Sequence, residues 1–219
     1  RPLIEATFYK SFTFRLLPDF GLGTTSIQEA YGEWNYYPQA KVRVGKYKAP
    51  VGLERLQSAT ALLFVERGMP TNIVPNRDIG VQVAGDLNDA LVTYAVAIMN
   101  GVPDGGSLDL DVNDGKDIAG RIFFNPNSKS TLLAGAGIGI AGTYGKQEKN
   151  LPNYRTPALA TFFSYNLDSV ADGTIYRVSP QFQFYNGPVS VIAEYVLSSE
   201  EVRNLTNFGE IKNSAWQIA

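Results

Sequence analysis

The sequence predicts an all-β chain of about twelve strands. Two observations carry this. Apolar residues recur at every second position in run after run, and tight turns alternate with long polar loops. Period two sends alternate side chains to opposite faces of a sheet.

The elements follow in order. Pro2, Ile4, Ala6 and Phe8 alternate with Leu3, Glu5, Thr7 and Tyr9. Phe12, Phe14 and Leu16 alternate with Thr13 and Arg15. Ala30, Gly32, Trp34 and Tyr36 alternate with Glu29, Tyr31, Glu33 and Asn35. Segments 41–48 and 79–87 read as half-buried strands. Val92, Tyr94, Val96 and Ile98 mark another, as do Val178, Phe182 and Phe184, then Val189, Val191, Ala193 and Tyr195. Short turns are expected at Lys10-Ser11, Asn88-Asp89 and Asn186-Gly187, the last a strong hairpin signal. Longer loops are expected over 101–116, 145–156 and 198–213. In segment 41–48, Lys41 and Arg43 share one face, while Lys46 and Lys48 fall on the other. A bulge at Gly45 is expected to turn the later pair back.

Composition narrows the chemistry. The 219 residues include no Cys and no His. This removes disulfides, thiolate chemistry, Ser-His triads and His metal sites. Net charge is −2, so selection of an anion would need positive charges sorted in space rather than in excess. No stretch approaches the roughly eighteen apolar residues of a membrane helix, but a membrane β-strand needs only about nine to eleven.

Alternation reads the same in two architectures. A soluble sandwich turns its apolar face to a shared core, and an outer-membrane barrel turns it to lipid. Tyr9, Phe20, Trp34, Tyr36, Tyr37, Tyr144 and Tyr185 near strand ends suit interfacial girdles. Arg15, Glu29, Arg43, Arg177 and Glu194 fall in mid-strand on the polar face, which suits a water-filled lumen. Alternation alone leaves a sandwich or lectin-like fold open.

Residues 51–78 are far too long for a hairpin loop, which usually has two to five residues. Leu53, Leu56, Leu63 and Phe64 recur at roughly helical spacing and predict a short amphipathic helix. Pro70 and Pro75 are expected to end the regular structure. The segment carries Glu54, Arg55, Gln57, Ser58, Thr60, Glu66, Arg67 and Arg77. An anion leaving water must regain hydrogen bonds and opposite charge. Arginine offers a planar fork that stays charged, and hydroxyls add neutral donors. Two unit charges about 4 Å apart attract by ~1 kcal/mol in water and ~4 at an effective dielectric of 20. A narrow passage therefore makes a site that an open pore cannot, provided the ion can leave again.

The strings RVGKYKAPVGLERLQS, FVERGMP and VPNRDIGVQ resemble the phosphate-selective porin O/P family of outer-membrane channels. FRLLPDFG, NGVPDGG, NDGKD, LPNYRTP, TFFSY and AEYVLSS extend the resemblance in collinear order over essentially the whole chain. It implies a transmembrane antiparallel β-barrel of sixteen strands, usually a homotrimer, in the outer membrane of a Gram-negative bacterium. It also implies an inward-folded third loop and anion preference. Residues 1–219 are expected to form one barrel domain truncated at both ends, with 49–77 as the long constriction loop bearing a short helix. By motif, the resemblance assigns Arg55, Ser58 and Arg67 to the anion-binding constriction, with Arg77 beside them and Glu29 as its acidic residue. Some members have lysine where this chain has Arg55, and two serines where it has Ser58-Ala59. Arg1, Arg15, Lys41, Arg43, Lys46, Lys48, Arg121, Arg155 and Arg177 are candidates for the family's basic track.

The implied partners are phosphate or other small anions, with outer-membrane lipid and lipopolysaccharide outside. No cofactor, metal, nucleic acid or catalysis is expected. A general small-solute porin is the alternative within the class. Outside it stands a soluble carbohydrate-binding domain, or an enzyme using Glu29, Glu33 and Glu194. Three motifs are decoys or weak. Residues 137–142 match G-x-G-x-x-G, but a strand end rather than a helix is expected to follow. Residues 109–115 resemble a calcium loop whose glycine is one position late, leaving weak divalent-cation binding open for the acidic loop 104–117. Residues 204–206 form a glycosylation triplet that matters only in a eukaryotic secretory setting.

Overall fold

A computed structural model describes residues 1–109, 114–126, 135–156, 160–166, 168–205 and 207–219, side chains at 22, 149 and 150 excepted. Eleven strands form one antiparallel sheet in chain order. They are β1 (Ile4–Phe8), β2 (Phe12–Asp19), β3 (Ser26–Tyr37), β4 (Ala40–Lys48), β5 (Arg77–Leu87), β6 (Val92–Met99), β7 (Asp117–Phe124), β8 (Ala136–Asn150), β11 (Ser169–Asn186), β12 (Val189–Asn204) and β13 (Asn207–Ile218). A separate hairpin, β9 (Tyr154–Arg155) with β10 (Thr161–Phe163), interrupts the meander between β8 and β11. Strands β1 and β13 are the two edges of the sheet and do not pair with each other among the described residues, so the sheet is not closed.

Most connections alternate in length, as in an outer-membrane meander; the β7–β8 connection (125–135) and the two-residue β12–β13 connection are the departures. The turns after β1, β3, β5 and β11 are short and share one end. Tyr9 and Lys10 turn with φ of 51° and 63°, and Asn88, Asp89 and Ala90 with 50°, 55° and 64°. The opposite end holds the long excursions 49–76, 100–116 and 151–168.

The two faces differ in kind. Val44, Val81, Val83, Val96, Ile98, Ile118, Ile122, Ile138 and Ile140 stand exposed on one face, each roughly half accessible. The other face carries Gln82, Thr143, Gln147, Arg177, Ser179, Gln181 and Glu194, all buried. Polar residues inside and apolar residues outside invert the pattern of a soluble sandwich. Trp34 and Tyr36 stack at 6.4 Å near the short-turn end of β3, with Tyr37 set edge-on. Tyr144, by contrast, lies in the middle of β8 rather than near its end.

Inward alanines create room. Ala97, Ala119, Ala141 and Ala215, on β6, β7, β8 and β13, are buried in one cluster with Val51, Ile73 and Val74 of segment 49–76. The small side chains let that segment fold onto the inner wall instead of standing outside it.

Several expectations are corrected. Pairing of β4 with β3 and β5 runs through Gly45 without a register shift, so there is no bulge there. Gly45 instead adopts φ 130°, and a Cβ would stand 2.3 Å from the Ala30 carbonyl oxygen. Residues 198–213 are not a long loop, because β12 and β13 pair from Asn204↔Asn207 onward. Likewise 145–150 continue β8 against β11. Residues 137–142 lie within β8 and no helix follows the glycines, as expected, but the strand runs on to Asn150 instead of ending there. Of the calcium-like loop, 110–113 lie outside the described residues, as does 206 of the glycosylation triplet.

Val96→Arg places a charge at the middle of the outer face. In lipid vesicles it is expected to cost about 2–4 kcal/mol by equilibrium unfolding. An ordinary water-facing surface would register under about 0.5 kcal/mol.

Candidate functional site

Segment 49–76 folds inward because the wall holds its amides. Gly52, at φ 87°, precedes α1 (Leu53–Leu56). The Leu53 and Glu54 N–H groups donate to Glu194 on β12, at 2.7 and 3.4 Å. Ser179 on β11 donates to the same carboxylate at 2.8 Å. Glu54 in turn accepts from the Gly68 N–H at 2.7 Å, closing the segment on itself.

The helix stops after one turn, shorter than the Leu53–Phe64 spacing predicts. Gln57 is extended, and its carbonyl accepts from Lys48 Nζ and Arg67 Nη2, both at 2.9 Å. The chain continues through a 3-10 turn at Ala59–Ala61, capped by Ser58 Oγ. Leu63 and Phe64 are exposed and join no helical stripe. Pro70 does not end regular structure either. It sits inside a second 3-10 turn, Met69–Asn72, where its missing N–H costs nothing.

Below this segment lies a cavity of about 650 Å³. It is lined by seven cationic side chains, Arg1, Arg15, Arg43, Lys48, Arg55, Arg67 and Arg77, and one carboxylate, Glu29. Glu29 bridges Arg15 Nε at 3.0 Å and Arg77 Nη2 at 3.2 Å. Arg43 pairs with Glu33 at 2.6 Å and lies over the Tyr31 ring. Arg55, Arg67 and Lys48 form no ion pair among the described residues. Their bonds go to carbonyl oxygens: Arg55 to Thr71, Arg67 and Lys48 to Gln57. Arg55 Nε is buried and has no hydrogen-bond partner. Burial, together with Arg67 and Arg77, pulls the Arg55 guanidinium down to about 10, which leaves it charged at neutral pH. Ser58 and Thr60 line the same cavity with their hydroxyls 2.9 Å apart.

Two further cavities adjoin. An outer one of about 940 Å³ shares Arg55, Ala59 and Arg67 with the first and adds Arg155. A smaller one of about 220 Å³ shares Arg43 and adds Lys41 and Arg121. Three cavities are thus linked by shared cationic residues, the two neighbours also carrying carboxylates: Glu66 and Asp104 in the larger, Glu33 and Asp86 in the smaller.

Of the residues singled out in the sequence, Arg55, Ser58, Arg67, Arg77, Glu29, Arg1, Arg15, Arg43 and Lys48 meet around one cavity, with Arg121 and Arg155 in its neighbours. Two do not join. Lys46 turns away and bonds to the Ile27 carbonyl and to Asp109. Arg177 is fully buried against Asp104 at 2.7 Å, so it lines no water. Of the three carboxylates weighed for catalysis, Glu29 and Glu33 are ion-paired with arginines and Glu194 holds α1.

A family model described as phosphate-selective porin O and P matches residues 4–206. The chain belongs to this porin family. Membership makes it an outer-membrane porin of Gram-negative type, in a family of channels rather than enzymes and phosphate-selective at the family level. No curated protein matches the chain. The apolar outer and polar inner faces of the sheet are what a porin wall needs.

Sequence reasoning missed Glu194 as the anchor, the inward alanines, and Asp104. Glu194 stood in a strand pattern with no signal of its partner, because that partner is a backbone 141 residues away. Glu194→Ala leaves two α1 amides and Ser179 without their acceptor. It is expected to lower stability by about 1–3 kcal/mol and to raise single-channel conductance as the inward segment loosens. Thermal unfolding and bilayer recording check the two halves.

Proposed function

We propose that this porin passes phosphate or similar small anions by passive diffusion, with segment 49–77 as the constriction of a basic lumen. The observation that carries the reading is the 650 Å³ cavity with seven cations against one carboxylate, in a chain whose net charge is −2. Charge is sorted by position, as the sequence requires of an anion channel. Arg55, Arg67 and Lys48 offer unpaired charge, Ser58 and Thr60 offer neutral donors, and Glu29 tempers Arg15 and Arg77. That tempering keeps the well shallow enough for release.

On this reading the native barrel has sixteen strands and assembles as a homotrimer, with lipid and lipopolysaccharide against the apolar face. Arg155, Arg43 and Arg121 extend the cationic path on either side of the constriction. A general small-solute pore is the second reading, favoured by Ala59 where a second serine would stand and by the neutralisation of Arg15 and Arg77.

The test is chloride current in a planar bilayer during titration with phosphate. Phosphate is expected to block, and Arg67→Ala to weaken block by roughly ten- to a hundredfold, the loss of one charge-assisted contact of about 1.5–3 kcal/mol. Current indifferent to phosphate supports the general pore.

A further inference from the structure

We propose that Arg177 and Asp104, neither of which lines the 650 Å³ cavity, are positioning residues for it, acting on Arg77 through the strap 102–107; Asp104 borders the neighbouring 940 Å³ cavity instead. The inference rests on the anion-channel reading above.

The strap lies against the returning leg of the constriction segment. Gly105 N–H donates to the Val74 carbonyl at 3.1 Å, and Asn76 N–H donates to the Gly106 carbonyl at 2.9 Å. Ser107 forms a parallel bridge with Arg77 itself. Just upstream, Gly101 N–H donates to Asp78 Oδ2 at 2.7 Å. The backbone that carries Arg77 is therefore paired on one side with β4 and on the other with this irregular strap.

The strap has no sheet of its own to fix it. Asp104 supplies the fixing. Its Oδ1 accepts from Arg177 Nε at 2.7 Å and from Ser198 Oγ at 3.0 Å. Its Oδ2 accepts from the Tyr154 hydroxyl at 3.1 Å, which accepts from the Asn213 amide at 2.9 Å. One carboxylate thus ties the strap to β11, β12, β9 and, through Tyr154, β13. Arg177 adds bonds to the Val102 carbonyl at 2.9 Å and to Thr143 Oγ1 at 3.1 Å. Both side chains of the Arg177–Asp104 pair are essentially inaccessible to solvent. A buried ion pair is a poor source of net stability, because desolvation offsets its attraction. What this pair provides is a fixed place for the strap, and so for Arg77 at 3.2 Å from Glu29.

The experiment is phosphate block of chloride current in the native channel, with inorganic phosphate as the probe. Arg177→Met and Asp104→Asn are each expected to weaken block by about fivefold or more, the scale of coupling between linked residues. Arg177→Lys should recover part of the loss. In an Arg77→Gln background, Arg177→Met should add little further loss, since the two act in series. A purely structural role would lower thermal stability without this non-additivity. Asp104→Asn keeps the size of the carboxylate, so it serves if Arg177→Met does not assemble. Unchanged block in conducting Arg177→Met or Asp104→Asn channels, or full additivity with Arg77→Gln, overturns the inference alone. No effect of Arg77→Gln likewise overturns the inference alone, whereas no block in the wild type overturns the anion-site reading and the inference with it.

Discussion

Glu194 reaches from the inner wall to the first amides of α1, and most of the functional geometry depends on that contact. A loop folded inside a barrel carries backbone donors that need partners at membrane depth, where irregular backbone is tolerated only against protein or a water-filled cavity. Glu194 satisfies two of those donors and receives Ser179 as well. With the segment held there, Val51, Ile73 and Val74 settle on the alanines of the wall. Arg55 and Arg67 then stand between two cavities instead of in open water. The inverted faces of the sheet make this arrangement possible, since only a polar interior offers a carboxylate at that place.

The cations then divide into two populations. Arg1, Arg15, Arg43 and Arg77 are each balanced by a carboxylate. Arg55, Arg67 and Lys48 are held by carbonyl oxygens, which fix their position while leaving their charge uncompensated. A binding site in a channel needs both. Uncompensated charge draws an anion in, and the balanced pairs keep the potential from becoming a trap. Screening in water reduces such attraction to about 1 kcal/mol per pair at 4 Å, so confinement by the inward segment is what gives the charges effect.

The strands were legible because alternation is local: the strand positions read from 29–36, 41–48, 79–87 and 92–98 fall within β3, β4, β5 and β6. The cationic residues of segment 51–78 were legible through motif and residue type. What could not be read was longer in range. Arg177 looked like any lumen arginine, because Asp104 is 73 residues away. The helix over Leu53–Phe64 failed because Lys48 and Arg67 occupy the Gln57 carbonyl, a contact that periodicity does not contain. The loop expected over 198–213 became two paired strands, since polar residues facing a lumen look like loop residues in sequence. In a barrel that ambiguity is physical, because the polar face meets water as a loop does.

The central claim is that position rather than net charge makes this lumen favour anions. The most direct measurement is the reversal potential of the native channel in a gradient of potassium chloride across a planar bilayer. The account predicts a potential close to that of chloride, despite the chain's net charge of −2. A potential near zero, or one on the potassium side, would contradict it.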